Sequence, residues 1–308
     1  MLSVIGVERS GSTRLAQILD TLRFRVYDEV FHPITPWGLR REDLLLKILQ
    51  NVDFPRKIKE EHFEWTQLKK INQKFTIEAM NSFKGNPLRL DNIPVKLVQE
   101  LSRTYKEVSI TIFLRHLDSK TIAKLLAISR FTLITSRSPI DSFISLKKAM
   151  ATGSFVAKGA DTTAMLVDLD PNKLLSYTNA QATSYYNLGE QVGLLNKHAP
   201  FYFLKYEDWS NLENSAQEVY ISAFLAAVMR GSPVHSEDLK WESGLNMIKS
   251  KSPVFRQDRS SSWLDKVSNS ERIVEQLEKP RFKYCLSKYL FHEQFLKGYQ
   301  STRRALIK

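Results

Sequence analysis

The chain has 308 residues, with 45 lysines and arginines against 33 aspartates and glutamates, giving a formal net charge of +12. Hydrophobic residues make up 43% and charged residues 25%, the balance of a chain that can bury a core, which excludes wholesale disorder. The single cysteine, Cys285, excludes an intramolecular disulfide and a cysteine-built zinc site, and suits a reducing compartment.

Leu2–Val7 is a short apolar, β-branched run that reads as a buried strand. A small polar turn follows, Glu8-Arg9-Ser10-Gly11-Ser12-Thr13, and then Leu15, Ile18, Leu19 and Leu22 recur at helical spacing. Helices are expected around 44–49 and within the Lys/Glu-rich stretch 57–74, and a loop over 81–92 around Gly85 and Pro87. Pro94–Val98 and Val108–Leu114 read as strands, and Leu117–Ile128 as a helix. Phe131–Thr135 is a further strand, and Pro139–Met150 a helix with proline in its first turn. The small polar stretch 153–163 reads as a loop, Asn172–Leu195 as a long helix, and Phe201–Lys205 as another strand. Ala216–Met229 is helical, 250–262 is a serine-rich basic loop, and Ser268 or Asn269 caps a final helical region. Strands alternating with helices predict an α/β fold, a parallel sheet covered on both faces, in a single domain spanning 1–308.

No apolar run approaches the ~20 residues of a membrane span. The start, Met1-Leu-Ser-Val-Ile-Gly-Val, has no basic lead-in, and Glu8 and Arg9 interrupt it, so a cytoplasmic setting is expected. The basic balance suits an anionic partner, a membrane surface, nucleic acid or simply a basic surface. Nucleic acid is not expected as a partner, because no RNP motif, zinc finger, KH loop or basic helix appears and the charge is spread along the chain.

Strand, small polar loop and helix together aim backbone N–H groups and a helix N-terminus at an anion. Gly6 and Gly11 bracket four residues, as in GxxxxGK[ST], but Ser12 occupies the lysine position. That lysine reaches the outer phosphates of a nucleoside triphosphate, so its absence counts against a kinase or ATPase. The loop can still hold one phosphate through its N–H groups, the Ser10, Ser12 and Thr13 hydroxyls and the Arg9 fork; the alternative is a turn that only caps a helix. Arg137, at a strand end, and Ser145, in the next helix, could clamp a second phosphate, or both could be structural.

Three runs in this order resemble the sulfotransferases that use 3′-phosphoadenosine 5′-phosphosulfate (PAPS): Arg9-Ser-Gly-Ser-Thr13, Arg137-Ser-Pro-Ile-Asp-Ser-Phe-Ile-Ser145, and Tyr206-Glu-Asp-Trp209 after an apolar strand. The RSGST spelling and Ala149-Met-Ala-Thr-Gly153 look closer to bacterial carbohydrate sulfotransferases than to the cytosolic phenol and steroid enzymes. The resemblance implies a P-loop-like central sheet, PAPS as co-substrate and no metal, and no metal motif appears. It implies that Arg9, Ser10, Gly11, Ser12 and Thr13 hold the 5′-phosphosulfate, with Arg9 supporting the leaving phosphate. Arg137 and Ser145 would hold the 3′-phosphate, and Tyr206 would sit near the adenine. Arg256 and Gln257, followed by Lys266-Val-Ser-Asn269, resemble the basic segment that closes over the nucleotide, a role Lys249, Lys251 or Arg259 could fill instead.

Sulfuryl transfer to a hydroxyl needs a base near the acceptor oxygen. The resemblance offers two: Glu29, in Tyr27-Asp-Glu-Val-Phe-His32, and His116, in Leu114-Arg-His-Leu117, with Asp28 and His32 behind them. The expected acceptor is a hydroxyl-bearing small molecule or glycan, a carbohydrate or glycolipid, walled by 34–94 and 151–175. Trp37, Phe63, Trp65 and Phe83 could stack on sugar rings or belong to the core. Arg40, Arg41, Lys57, Lys59, Lys69 and Lys70 could attract an acidic glycan or form a solvated face. Nothing in the sequence sets the oligomeric state, and a homodimer is among the options.

Overall fold

The computed structural model describes residues 1–7, 9–27, 93–104, 107–114, 117–152, 165–195, 198–230 and 262–307. Five strands, β1 (Leu2–Gly6), β2 (Arg25–Tyr27), β3 (Val108–Phe113), β4 (Phe131–Ser136) and β5 (Phe201–Lys205), form one sheet in the order β2-β3-β1-β4-β5. All neighbouring pairs are parallel, with Leu2 opposite Ser109 on one side of β1 and opposite Phe131 on the other. The expected parallel α/β sheet is therefore present.

The strands explain why both faces are covered. Leu2 and Val4 of β1 and Phe131 and Leu133 of β4 pack on one face, while Ile5 and Ile134 pack on the other. This is the two-residue alternation of side chains along a strand, with apolar residues on both sides. The first face is covered by α1 (Ser12–Thr21), through Leu15, Ile18 and Leu19, together with a short helix, α6 (Tyr206–Trp209), and α7 (Asn214–Met229). The second is covered by α2 (Ile93–Thr104), α3 (Ser119–Ile128), α5 (Pro171–Gly193) and α9 (Leu290–Ile307). Burying each such leucine or isoleucine contributes roughly 1.5–3 kcal/mol, and this term stabilises helices too short to persist alone.

A third cluster joins α4 (Pro139–Thr152) to α8 (Ser270–Leu277) and to the 3₁₀ helix Pro280–Leu286, around Phe143, Leu174, Ile273 and Phe282. Val167 and Leu169, in the expected acceptor wall 151–175, belong to it, while Leu166, just before Val167, is exposed. Asn269 precedes α8 as expected, but its side chain bonds the backbone of Leu169 (3.1 and 2.9 Å) instead of capping the helix. The final helical region is broken into α8, the 3₁₀ helix and α9.

The expected strand at Pro94–Val98 is corrected: those residues lie inside α2. Val95, Val98 and Leu101 recur every three residues and pack on the sheet as one stripe, and a proline in the first turn forfeits no helix hydrogen bond. Five residues were too few to separate the two periods. Strand β2 was not anticipated, because three residues carry no periodicity of their own. The expectations for 44–49, 57–74, 81–92, 153–163 and 250–261 fall outside the described residues.

Candidate anion-binding site

β1 lies between β3 and β4. From β1 the chain passes through α1, on one face, toward β2; from β4 it passes through α5, on the opposite face, to β5. Connections leaving in opposite directions open a crevice beyond the carboxyl ends of β1 and β4, where open α/β sheets bind ligands. Arg9 follows β1 and Arg137 follows β4, so both arginines stand at this crevice.

The loop after β1 is tightly wound. Ser10 N–H donates to Val7 O (3.2 Å), and the Ser10 hydroxyl lies 3.0 Å from that of Thr135, which donates to Ile5 O (3.1 Å). Ser10 is 1% exposed and so braces the loop against β4 from inside. Gly11 has a φ of 86° and caps α1 without a side chain. The first hydrogen bond closing on it comes from Leu15 N–H (3.0 Å), which leaves the N–H groups of the first turn without an acceptor in the helix. A β-carbon on Gly11 would run into the Tyr206 ring, so glycine is required here twice over. Ser12, at the position of the missing lysine, is 3% exposed, and Thr13 is half-buried.

Arg9 itself has a φ of 67°, a left-handed conformation that a side chain disfavours. In it, Arg9 Nε donates to the Ser145 hydroxyl on α4 at 2.9 Å. Arg137 Nη1 donates to the Arg9 carbonyl at 3.2 Å, and its guanidinium carbon lies 4.5 Å from the centroid of the Tyr206 ring. The Tyr206 ring meets Trp209 edge-on with centroids 5.4 Å apart. Arg9, Gly11, Arg137, Ser145 and Tyr206, from four separate segments, are thus one constellation. The arginines read from the sequence as holding separate anions adjoin, linked backbone to side chain.

The electrostatics favour an anion: two guanidiniums and the positive end of α1 face one crevice. Glu207 opposes them. Its Oε1 accepts from Ser138 N–H at 2.7 Å, while Oε2 is buried without a hydrogen-bond partner. Burial pushes the Glu207 carboxyl up from its ordinary value, against the lowering effect of the Ser138 N–H and of Arg137. Behind β4, the Ser136 hydroxyl lies 2.6 Å from His292 Nε2. Burial, with the nearby Lys205 charge, lowers the His292 pKa to about 3, so at neutral pH the ring is an uncharged and very weak base.

Glu29, Asp28, His32 and His116 lie outside the described residues, as do Lys249, Lys251, Arg256, Gln257 and Arg259. The aromatic and basic residues named for the acceptor walls lie outside them as well. Sequence reasoning missed Thr135 and Glu207, whose roles depend on partners more than 60 positions away. A separate groove of about 420 Å³ between α5 and α9, lined by Thr183, Tyr186, Tyr284 and Lys297, shares no residue with this constellation and has no arginine.

No family model, curated protein or solved structure matches the chain. What the site can do has to follow from its own groups. Among the described residues there is no cluster of histidine, cysteine, aspartate and glutamate able to hold a metal ion, and no helix long and apolar enough to cross a membrane. The described groups can bind a multiply charged anion through backbone N–H, hydroxyl and guanidinium donors.

Proposed function

We propose that the protein is a PAPS-dependent sulfotransferase, transferring a sulfuryl group to a hydroxyl of a carbohydrate or glycolipid. One observation carries the reading: Arg9, Arg137 and Ser145 converge with the start of α1, which no side chain caps, at the crevice between β1 and β4. Two adjoining arginines suit a ligand with more than one anionic group, whereas a triphosphate cradle needs the lysine that Ser12 replaces. The parallel sheet with β1 at its centre agrees with the P-loop-like sheet implied by the resemblance.

On this reading the first turn of α1, Gly11, Thr13 and Arg9 hold the 5′-phosphosulfate end, and Arg137 with Ser145 holds the 3′-phosphate. When bound, PAPS supplies an activated sulfuryl group whose bond to the 5′-phosphate breaks as the bond to the acceptor oxygen forms. Arg9 stabilises the charge left on that phosphate. Glu29 or His116 takes the proton from the acceptor hydroxyl, and the resemblance favours the glutamate.

Adenosine 3′,5′-bisphosphate, the expected product, should raise the melting temperature with no magnesium present. Stabilisation by ATP–magnesium alone would overturn the assignment. Incubation with labelled PAPS and a glycan panel then reads transfer and acceptor class together. Glu29→Gln should abolish that transfer and leave bisphosphate affinity nearly intact; full activity would move the base to His116.

A further inference from the structure

Tyr206 and Glu207 are consecutive residues at the start of α6; the first lies against Arg137 and the second bonds the amide that follows it. The Tyr206 ring lies against the guanidinium, its centroid 4.5 Å from the central carbon. The Glu207 carboxylate accepts at 2.7 Å from Ser138 N–H, the amide of the peptide bond that follows Arg137. One dipeptide therefore grips the same arginine by side chain and by backbone. The grip leaves polar capacity over: Glu207 Oε2 and Arg137 Nε are both buried without a hydrogen-bond partner.

A buried carboxylate with an unused oxygen costs free energy, and its nearest compensation is the neighbouring positive charge. Among the described residues, the charged groups acting on Glu207 are Arg137, after β4, and Asp141, in the first turn of α4. Asp141 is itself neutralised by Lys266 Nζ at 3.0 Å, from the 3₁₀ helix Leu264–Lys266. Arg137 is thus the cation left for Glu207 to balance.

We propose that Glu207 is a positioning residue for Arg137: it fixes the peptide after the arginine and balances its charge, so that the guanidinium is held toward the crevice. Glu207 does not touch the nucleotide. The inference rests on the proposed function only in naming the 3′-phosphate as what Arg137 meets.

The test measures affinity for adenosine 3′,5′-bisphosphate and for adenosine 5′-monophosphate, which lacks the 3′-phosphate. Glu207→Gln keeps an oxygen for Ser138 N–H and removes the charge. It should weaken bisphosphate binding about tenfold, the scale of coupling within one polar network, and leave the monophosphate unchanged. Arg137→Ala should lose the same preference, and the double variant should be no weaker than Arg137→Ala alone. Glu207→Asp, which keeps the charge one methylene back, should recover part of the preference. Multiplicative losses, or equal losses for both nucleotides, would overturn the proposal. If the wild type binds neither nucleotide, the sulfotransferase reading fails. Urea unfolding of the same four proteins (wild type, Glu207→Gln, Arg137→Ala and the double variant) then decides the positioning role. Coupling of about threefold or more in the unfolding constant supports it, and additive effects sink it.

Discussion

Arg9 is a chiral residue holding a conformation that suits glycine, and the left-handed region costs such a residue about 1–2 kcal/mol. Strain of this kind is kept where the side chain does something. Arg9→Gly should therefore leave the melting temperature unchanged or raise it, while bisphosphate affinity falls at least tenfold. Arg9→Ala should lose the affinity without the gain in stability. Calorimetry beside a binding titration checks both, and a Gly variant less stable than Ala would show that the strain is not real. His292 makes a different residue-scale prediction. Its folded pKa is about 3, below the ordinary 6.5, so the unfolded chain takes up the proton first. The stability tied to the neutral ring is present above pH 6.5 and is lost as pH falls toward 3, at no more than about 1.4 kcal/mol per pH unit. Glu207 has the opposite sign: with its pKa raised, its contribution favours the fold at low pH and fades as the carboxyl ionises. In His292→Asn the unfolding free energy should fall less steeply between pH 6 and 4; an unchanged slope would mean that the ring titrates in the folded protein. Arg9, Arg137 and Ser145 could be named from the sequence because glycine-bracketed loops and strand-end arginines carry local signals, and Tyr206 because Tyr206-Glu-Asp-Trp209 after an apolar strand resembles a family motif. Glu207 could not, since Tyr-Glu-Asp-Trp reads identically whether its carboxylate faces water or Ser138.

Among the described elements, α5 and α9 are paired with their backbones in close approach. A β-carbon on Gly298 would meet the carbonyl oxygen of Tyr186, and one on Gly189 the carbonyl of Phe295, so the two backbones are in contact where the helices cross. Phe291 stacks on Tyr185 in the same seam, with ring centroids 5.0 Å apart. Gly298→Ala must push backbone, which cannot yield as a flexible side chain would. It should destabilise the protein by about 1–3 kcal/mol despite the better helix propensity of alanine, as read by urea denaturation. A stabilised variant would mean that the helices sit further apart. Elements longer than about ten residues, such as α5 and α7, were legible because an apolar stripe repeats over several turns. Two elements escaped this: α2, although it has 12 residues, was mistaken for a strand from an apolar run over five of them, and the three residues of β2 become a strand only through pairing with β3.

At the scale of the whole molecule, the charge of +12 bears on how fast an anion arrives more than on how the chain folds. Adenosine 3′,5′-bisphosphate carries more negative charge than the monophosphate, so its association rate should fall more steeply with salt. A drop of about threefold or more between 0.05 and 0.5 M salt is expected for the bisphosphate, with a weaker trend for the monophosphate, measured by stopped-flow. Equal slopes would place the surplus charge away from the crevice. The sequence by itself determined the alternation of strands and helices, the glycine-bracketed loop and the absence of a lysine at position 12, because periodicity and turn chemistry act over neighbouring residues. Only the tertiary structure decided that β1 lies between β3 and β4, that Arg9 meets Ser145, that Tyr206 lies against Arg137 and that Glu207 accepts from Ser138 N–H. Strand order and these contacts join residues far apart in the chain, and they exist only once both faces of the sheet are buried.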